Sequence, residues 1–205
     1  MATIAAVNQV GESVAKLLND RRALLAATGR LGDLPAAVEI THISMSRMAR
    51  DPEPTAGLTI MLYRIEPSEF QGTQRPVREP SRPSALGVDL LFMVTAWSGT
   101  SQEEQAMLGW AMLELYRYPL LDRSMLTGDG VWNEDETVQL VHERLGDDAL
   151  FAVWYAMQRR YRLSTAYRAR VVRLEDPDPA TSWPPVVVKR IGYTDSVPLT
   201  VGASA

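Results

Sequence analysis

The chain contains no cysteine, which excludes disulfide bonds and thiolate metal sites outright. Packing alone must hold the fold together, as suits a reducing cytoplasm, and cytoplasmic residence is the expectation. Lysine is almost missing as well: two lysines stand against 19 arginines, so the basic surface is made of planar forks that match carboxylates. No run of about 18 apolar residues occurs, so no helical membrane span is expected. The stretch Met1 to Val14 lacks a basic start, a continuous apolar run and a small-residue cleavage site, and a secretory signal is not expected. A net charge of −4 argues against general nucleic-acid binding, which calls for a basic footprint.

Catalytic signatures are also missing. Neither a GxSxG elbow nor a Gly-rich loop with a phosphate-binding lysine is present. The only two histidines, His42 and His142, lie far apart without metal-ligand spacing, so no metal and no cofactor is expected. Glu134, Asp135 and Glu136 could be imagined as an acid/base pair or a cation site, but they read as a solvated acidic loop. Trp110, Trp154 and Tyr155 occupy core-like helical positions and are read as packing rather than as a ligand platform. No enzyme is expected.

What is present is one domain's worth of regular structure. Of the 205 residues, 46% are hydrophobic and 22% charged, close to an average soluble protein. Residues Thr3 to about Ala27 carry Ile4, Val7, Val14, Leu17, Leu18, Leu24 and Leu25 near helical spacing, with Thr3 as N-cap. Val38 to Ser44 reads as a strand, and Met48 to Gly57 as a loop. Gly57 to Glu66 and Leu86 to Trp97 are strands, the second apolar enough to be central. A helix starts at Thr100 or Ser101, where Ser101 with Glu104 reads as a capping box; its apolar stripe is Leu108, Ala111, Met112, Leu115 and Tyr116, and Pro119 stops it. Thr137 to Val141 is a further strand, followed by a helix from Asp147 or Asp148 to about Arg160, burying Leu150, Val153, Trp154 and Met157. Along the strand Thr165 to Leu174, Tyr167, Ala169 and Val171 should face one way, and Arg168 and Arg170 the other, among Ala166, Val172 and Leu174.

The expected fold is therefore α+β: a mostly antiparallel sheet packed by about three helices, over residues 1–175. Residues 176–205 begin with Asp-Pro-Asp-Pro and read as an extended C-terminal arm.

Two features point to contacts rather than chemistry. Between Asp129 and Asp148 lie seven acidic residues and one arginine; between Ala149 and Leu174 lie six arginines and no acid. Either the two stretches neutralise each other within one subunit, or they meet across a head-to-tail interface, for which Arg168, Arg170, Glu134, Asp135 and Glu136 are candidate residues. The Pro-rich stretch Pro67 to Ala85 spaces Arg75, Arg78 and Arg82 at three- to four-residue intervals. It is either a solvated loop or an ordered insertion that grips an acidic partner.

Three blocks resemble a known family. Asp89-Leu90-Leu91 with Val94-Thr95-Ala96-Trp97 is similar to its central strand, and Glu104 to Met112 (EQAMLGWAM) to its following helix, which leads into Tyr118-Pro119-Leu120-Leu121. Trp154 followed by Tyr161 to Tyr167 (YRLSTAY) is the third. The family is the cap, or tail-terminator, protein of extracellular contractile injection systems, and the resemblance covers about residues 4 to 175. Phe92 departs slightly from the shared pattern, and the arm lies outside it. The resemblance implies a homohexameric ring on the baseplate-distal end of an inner tube and its sheath, with no nucleic acid, membrane or catalysis involved. The terminator or neck protein of a contractile phage is the nearest alternative, and a small hydrolase or ligand-binding module is the alternative from another class.

Overall fold

A computed structural model describes residues 2–35, 38–69 and 85–175. Ten elements follow in order: α1 (Ala6–Ala27), β1 (Glu39–Ile43), α2 (Met45–Arg50), β2 (Gly57–Pro67), β3 (Ala85–Trp97), α3 (Ser101–Arg117), β4 (Leu120–Leu121), β5 (Val138–Glu143), α4 (Asp147–Ala156) and β6 (Ser164–Glu175). The strands form one sheet in the order β1-β2-β3-β6-β5-β4. Every neighbouring pair is antiparallel except β1 with β2. The expected α+β class and the central place of the Leu86–Trp97 strand both hold.

The two faces of the sheet carry separate cores. Alternation along β3 sends Leu90, Phe92, Val94 and Ala96 to one face, where α1 and α3 cover them with Val10, Val14, Leu18, Met107, Leu108, Ala111 and Leu115. Met93 and Trp97 point to the other face, where Met61, Met48 of α2, Trp154 of α4 and Met157 just after it close over them. Trp97 Nε1 donates to Thr59 Oγ1 at 2.8 Å, so its indole is buried without an unsatisfied N–H.

Several local expectations are corrected. The stretch read as a loop from Met48 opens with helix: Ser44 Oγ accepts from the Arg47 amide at 3.3 Å and caps α2, which also ends the strand at Ile43. Helix α1 is capped at Ala5 rather than Thr3, whose amide instead donates to the Val131 carbonyl at 3.0 Å. Ile4 and Leu24, expected on its buried stripe, are exposed. The cap of α3 is Thr100, whose hydroxyl accepts from the Glu103 amide at 3.4 Å; Glu104 is turned away from Ser101 and pairs with Arg162. Gly146 caps α4 without a side-chain bond, and the helix ends at Ala156 rather than Arg160. Gln158 then adopts φ +55°, the Gln158 amide donating to Tyr155 and that of Arg159 to Trp154. That is the left-handed reversal that usually stops a helix at glycine.

The parity of β6 is shifted. A bulge between Val88 and Leu90 pairs Leu90 with Ala169 but Val88 with Val172. The extra residue flips the alternation, so Val172 joins Tyr167 and Ala169 in the core under α1 and α3 rather than facing away with the arginines.

Two glycines are dictated by close approach. Gly57 has φ +135°, and a Cβ there would lie 2.1 Å from the Glu39 carbonyl oxygen, at the start of the β1–β2 ladder. Gly11 sits where α1 crosses β1, and a Cβ would meet the His42 ring at 2.5 Å.

Candidate interaction surfaces

The residues singled out from the sequence fall in three places. Arg75, Arg78 and Arg82 lie outside the described residues, as does the arm 176–205. Glu134 and Asp135 are exposed in the turn before β5; Glu136 is half-buried, its amide donating to the Asn133 carbonyl at 3.3 Å. Arg168 and Arg170 lie on β6, in the sheet interior.

Arg168 is committed to its own chain. Its Nε and Nη2 donate to both oxygens of Glu143 on β5, at 2.8 and 3.0 Å. Its Nη1 donates to Glu66 on β2 at 3.2 Å and to Asp89 on β3 at 3.3 Å. Four strands are thus tied by one guanidinium, with Arg64 adding a further cation to Glu66 at 2.7 Å. The hydrogen bond from Arg168 holds the Glu143 carboxyl below its usual range, and Glu143 in turn raises Arg168. Asp89 is only 3% exposed, and Arg168 meets its carboxylate there. Glu143 comes from the acidic stretch and Arg168 from the basic one, so this pair neutralises within the subunit.

The two arms of the helical layer are joined by a second buried charge. Glu114 of α3 is fully buried and accepts from Arg21 of α1 at 2.8 Å and from Arg117 at 2.7 Å. The Arg21 guanidinium also lies 5.1 Å from the centre of the Tyr118 ring.

At the other end of the second core, Arg159 donates to the carbonyls of Met48, Ala49 and Asp51, fastening the end of α4 to α2. Arg162 donates to Glu53 at 2.9 Å and to Glu104 at 3.4 Å, and lies over Trp97.

A groove of about 520 Å³ runs between α1 and the edge strand β1, lined by Glu12, Lys16, Asn19, His42 and Thr127 among others. His42 Nδ1 lies 3.3 Å from Glu12 Oε1, and Asn19 donates to the Ile40 carbonyl at 2.7 Å. His142 contacts Thr165 on β6. Strands β2, β3 and β6 separate the two histidines, about 19 Å at the usual strand spacing, so they cannot share a ligand. Among the described residues no group of three His, Cys, Asp or Glu side chains could hold a metal ion, and no helix is long and apolar enough to cross a membrane.

The sequence reading missed the most unusual surfaces. Tyr155, placed with the core aromatics, is 84% exposed, and the exposed rings of Phe151 and Tyr161 pack on each other with centres 5.5 Å apart. Met112 and Tyr116, assigned to the buried stripe of α3, face outward together with Leu113. The signal was in the sequence: both helices carry apolar residues around most of their circumference, and one sheet can cover only one side.

No curated protein matches the chain in sequence. Its fold is that of two solved structures. One is described as the sheath/tube terminator, in the extended state, of an extracellular contractile injection system called PVC: TM-score 0.53, 18% identity, with 100% of this chain and 66% of that one covered. The other is the tube-terminating cap of the anti-feeding prophage: TM-score 0.51, 17% identity, with 80% of this chain and 56% of that one covered. The chain therefore spans less than two thirds of the length of either. A family model described as the Pvc16 N-terminal domain matches residues 9–188, running past Glu175 into the stretch expected to lie outside the shared pattern. The chain belongs to the Pvc16 N-terminal domain family.

Proposed function

We propose that the chain is a structural cap of a contractile injection system. Six copies form a ring on the end of the inner tube distal to the baseplate. The ring ends tube polymerisation and anchors the last layer of sheath. Membership of the Pvc16 N-terminal domain family over residues 9–188 carries this reading, and the fold shared with two terminators of tube or sheath supports it.

The physics of the chain agrees with such a task. A cap must bind the open end of a polymer and present no site for the next subunit, which calls for a rigid scaffold and selective surfaces. Buried ion clusters at Arg168 and Glu114 cross-link the elements of the body. In this reading the protein performs no chemistry, works in the cytoplasm of the producing cell, and leaves it only as part of an assembled particle.

Deleting the gene in a particle-producing strain tests the proposal. Electron micrographs should show tubes and sheaths of uncontrolled length, or particles that fall apart. Particles of normal, uniform length would refute it.

A further inference from the structure

Helix α3 is inverted with respect to an ordinary surface helix. Its acids are turned inward or along the body: Glu114 to Arg21 and Arg117, Glu104 to Arg162, and Glu103 to Ser98. The side left to solvent carries Gln102, Gln105, Gly109, Met112, Leu113 and Tyr116, about 21 Å of helix with Arg117 as its only charge. Met and aromatic residues without charges are the composition of an interface centre rather than of a solvated face.

Helix α4 repeats the anomaly on the other side of the sheet. Trp154 is buried against Trp97, while Phe151, Ala152, Tyr155 and Ala156 are exposed. Charge on this outer side is confined to Asp147 and Asp148 in the first turn. Beyond its acidic first turn this ten-residue helix is apolar all round, the pattern of a helix covered on every side.

We infer that these two faces bind each other between copies, the outer face of α3 on one subunit docking on the outer face of α4 on the next. Three observations select a second copy as the occupant. The faces lie on opposite sides of one sheet, so a single chain cannot pair them, whereas successive copies can do so without limit until a ring closes. Laid antiparallel, the helices bring Asp147 and Asp148 at the start of α4 to Arg117 at the end of α3. Each face also supplies what the other lacks: flat rings on α4 against a stripe that Gly109 leaves open on α3.

The inference deepens the cap reading, which supplies the closed ring, but its pairing rule stands or falls on the purified chain alone. It also separates the head-to-tail contact from the charge segregation in the sequence, because Arg168 is engaged by Glu143, Glu66 and Asp89 of its own subunit.

Mass measurement by multi-angle light scattering on full-length protein decides the matter. One variant, L113E/Y116E, loses the α3 face; another, F151E/Y155E, loses the α4 face. All four positions are exposed, and circular dichroism melts of each variant serve as the check on folding. The unaltered chain should assemble beyond a dimer, each variant alone should be monomeric, and their equimolar mixture should stop at the heterodimer. Dimers formed by one variant alone would indicate a two-fold contact and overturn the proposal. So would a monomeric unaltered chain, undiminished assembly of either variant, or failure of the mixture to pair, each of which assigns the faces to another occupant. Particle length in the deletion strain does not enter this test, so the cap reading can fail independently.

Discussion

Arg168 holds both carboxylate oxygens of Glu143, at 2.8 and 3.0 Å, while its remaining nitrogen reaches Asp89 and Glu66. One side chain thereby links β2, β3, β5 and β6 on the sheet face that α4 only partly covers. Replacing Arg168 by methionine keeps the stem and removes the charge that Glu143, Glu66 and Asp89 share. Loss of one partner of a buried ion pair costs about 3–5 kcal/mol. Denaturant melts of Arg168→Met should show a loss of that order, and Arg168→Met combined with Asp89→Asn should recover part of it.

The same contact sets an acid dependence. The Arg168 hydrogen bond lowers the folded-state pKa of Glu143, so its contribution is present above the unfolded glutamate value of about 4.3 and is lost as pH falls through the lower folded value. Stability should therefore fall on acidification below about pH 5, and Glu143→Gln should flatten that part of the curve. Urea midpoints between acid and neutral pH read the slope directly; identical slopes in the two proteins would contradict the assignment.

Gly11 and His42 form a tight crossing between α1 and β1. Alanine is favoured over glycine in a helix by about 1 kcal/mol, but here its Cβ would press on the imidazole at 2.5 Å. Gly11→Ala should destabilise the protein alone and stabilise it by up to about 1 kcal/mol once His42 is also alanine. A change of sign in that double-mutant cycle is the expected thermal-melt result.

Gln158 ends α4 with φ +55°. A side chain in this conformation costs about 1–2 kcal/mol relative to glycine, offset in part by the unfolded-state freedom that glycine adds. Gln158→Gly should raise stability by about 0.5–1 kcal/mol, seen as a higher melting temperature, without changing assembly.

Much of the fold was legible because periodicity reports burial faithfully in long elements. The central place of β3, the helix stop at Pro119 and the inward stripe of α4 all follow from local chemistry. Where the reading failed, the cause was an event that local pattern does not encode. The bulge opposite Asp89 reversed the faces of Val172, and a two-residue strand such as β4 is too short to carry a period. Ser44 did announce α2 as a helix cap, but Pro52 and Pro54 nearby favoured a loop.

The interaction surfaces were less legible for a different reason. Burial in one chain and burial between chains demand the same residues, so Met112, Tyr116 and Tyr155 read as core although they face outward. Charge segregation drew attention to Arg168 as a contact residue, and only tertiary pairing with Glu143 shows where its charge is answered.

Labelling the chain within intact particles tests the cap reading most directly. A small tag bound by gold or an antibody fragment, viewed by electron microscopy, should mark each particle at a single end, opposite the baseplate. Label along the shaft or at the baseplate would contradict it.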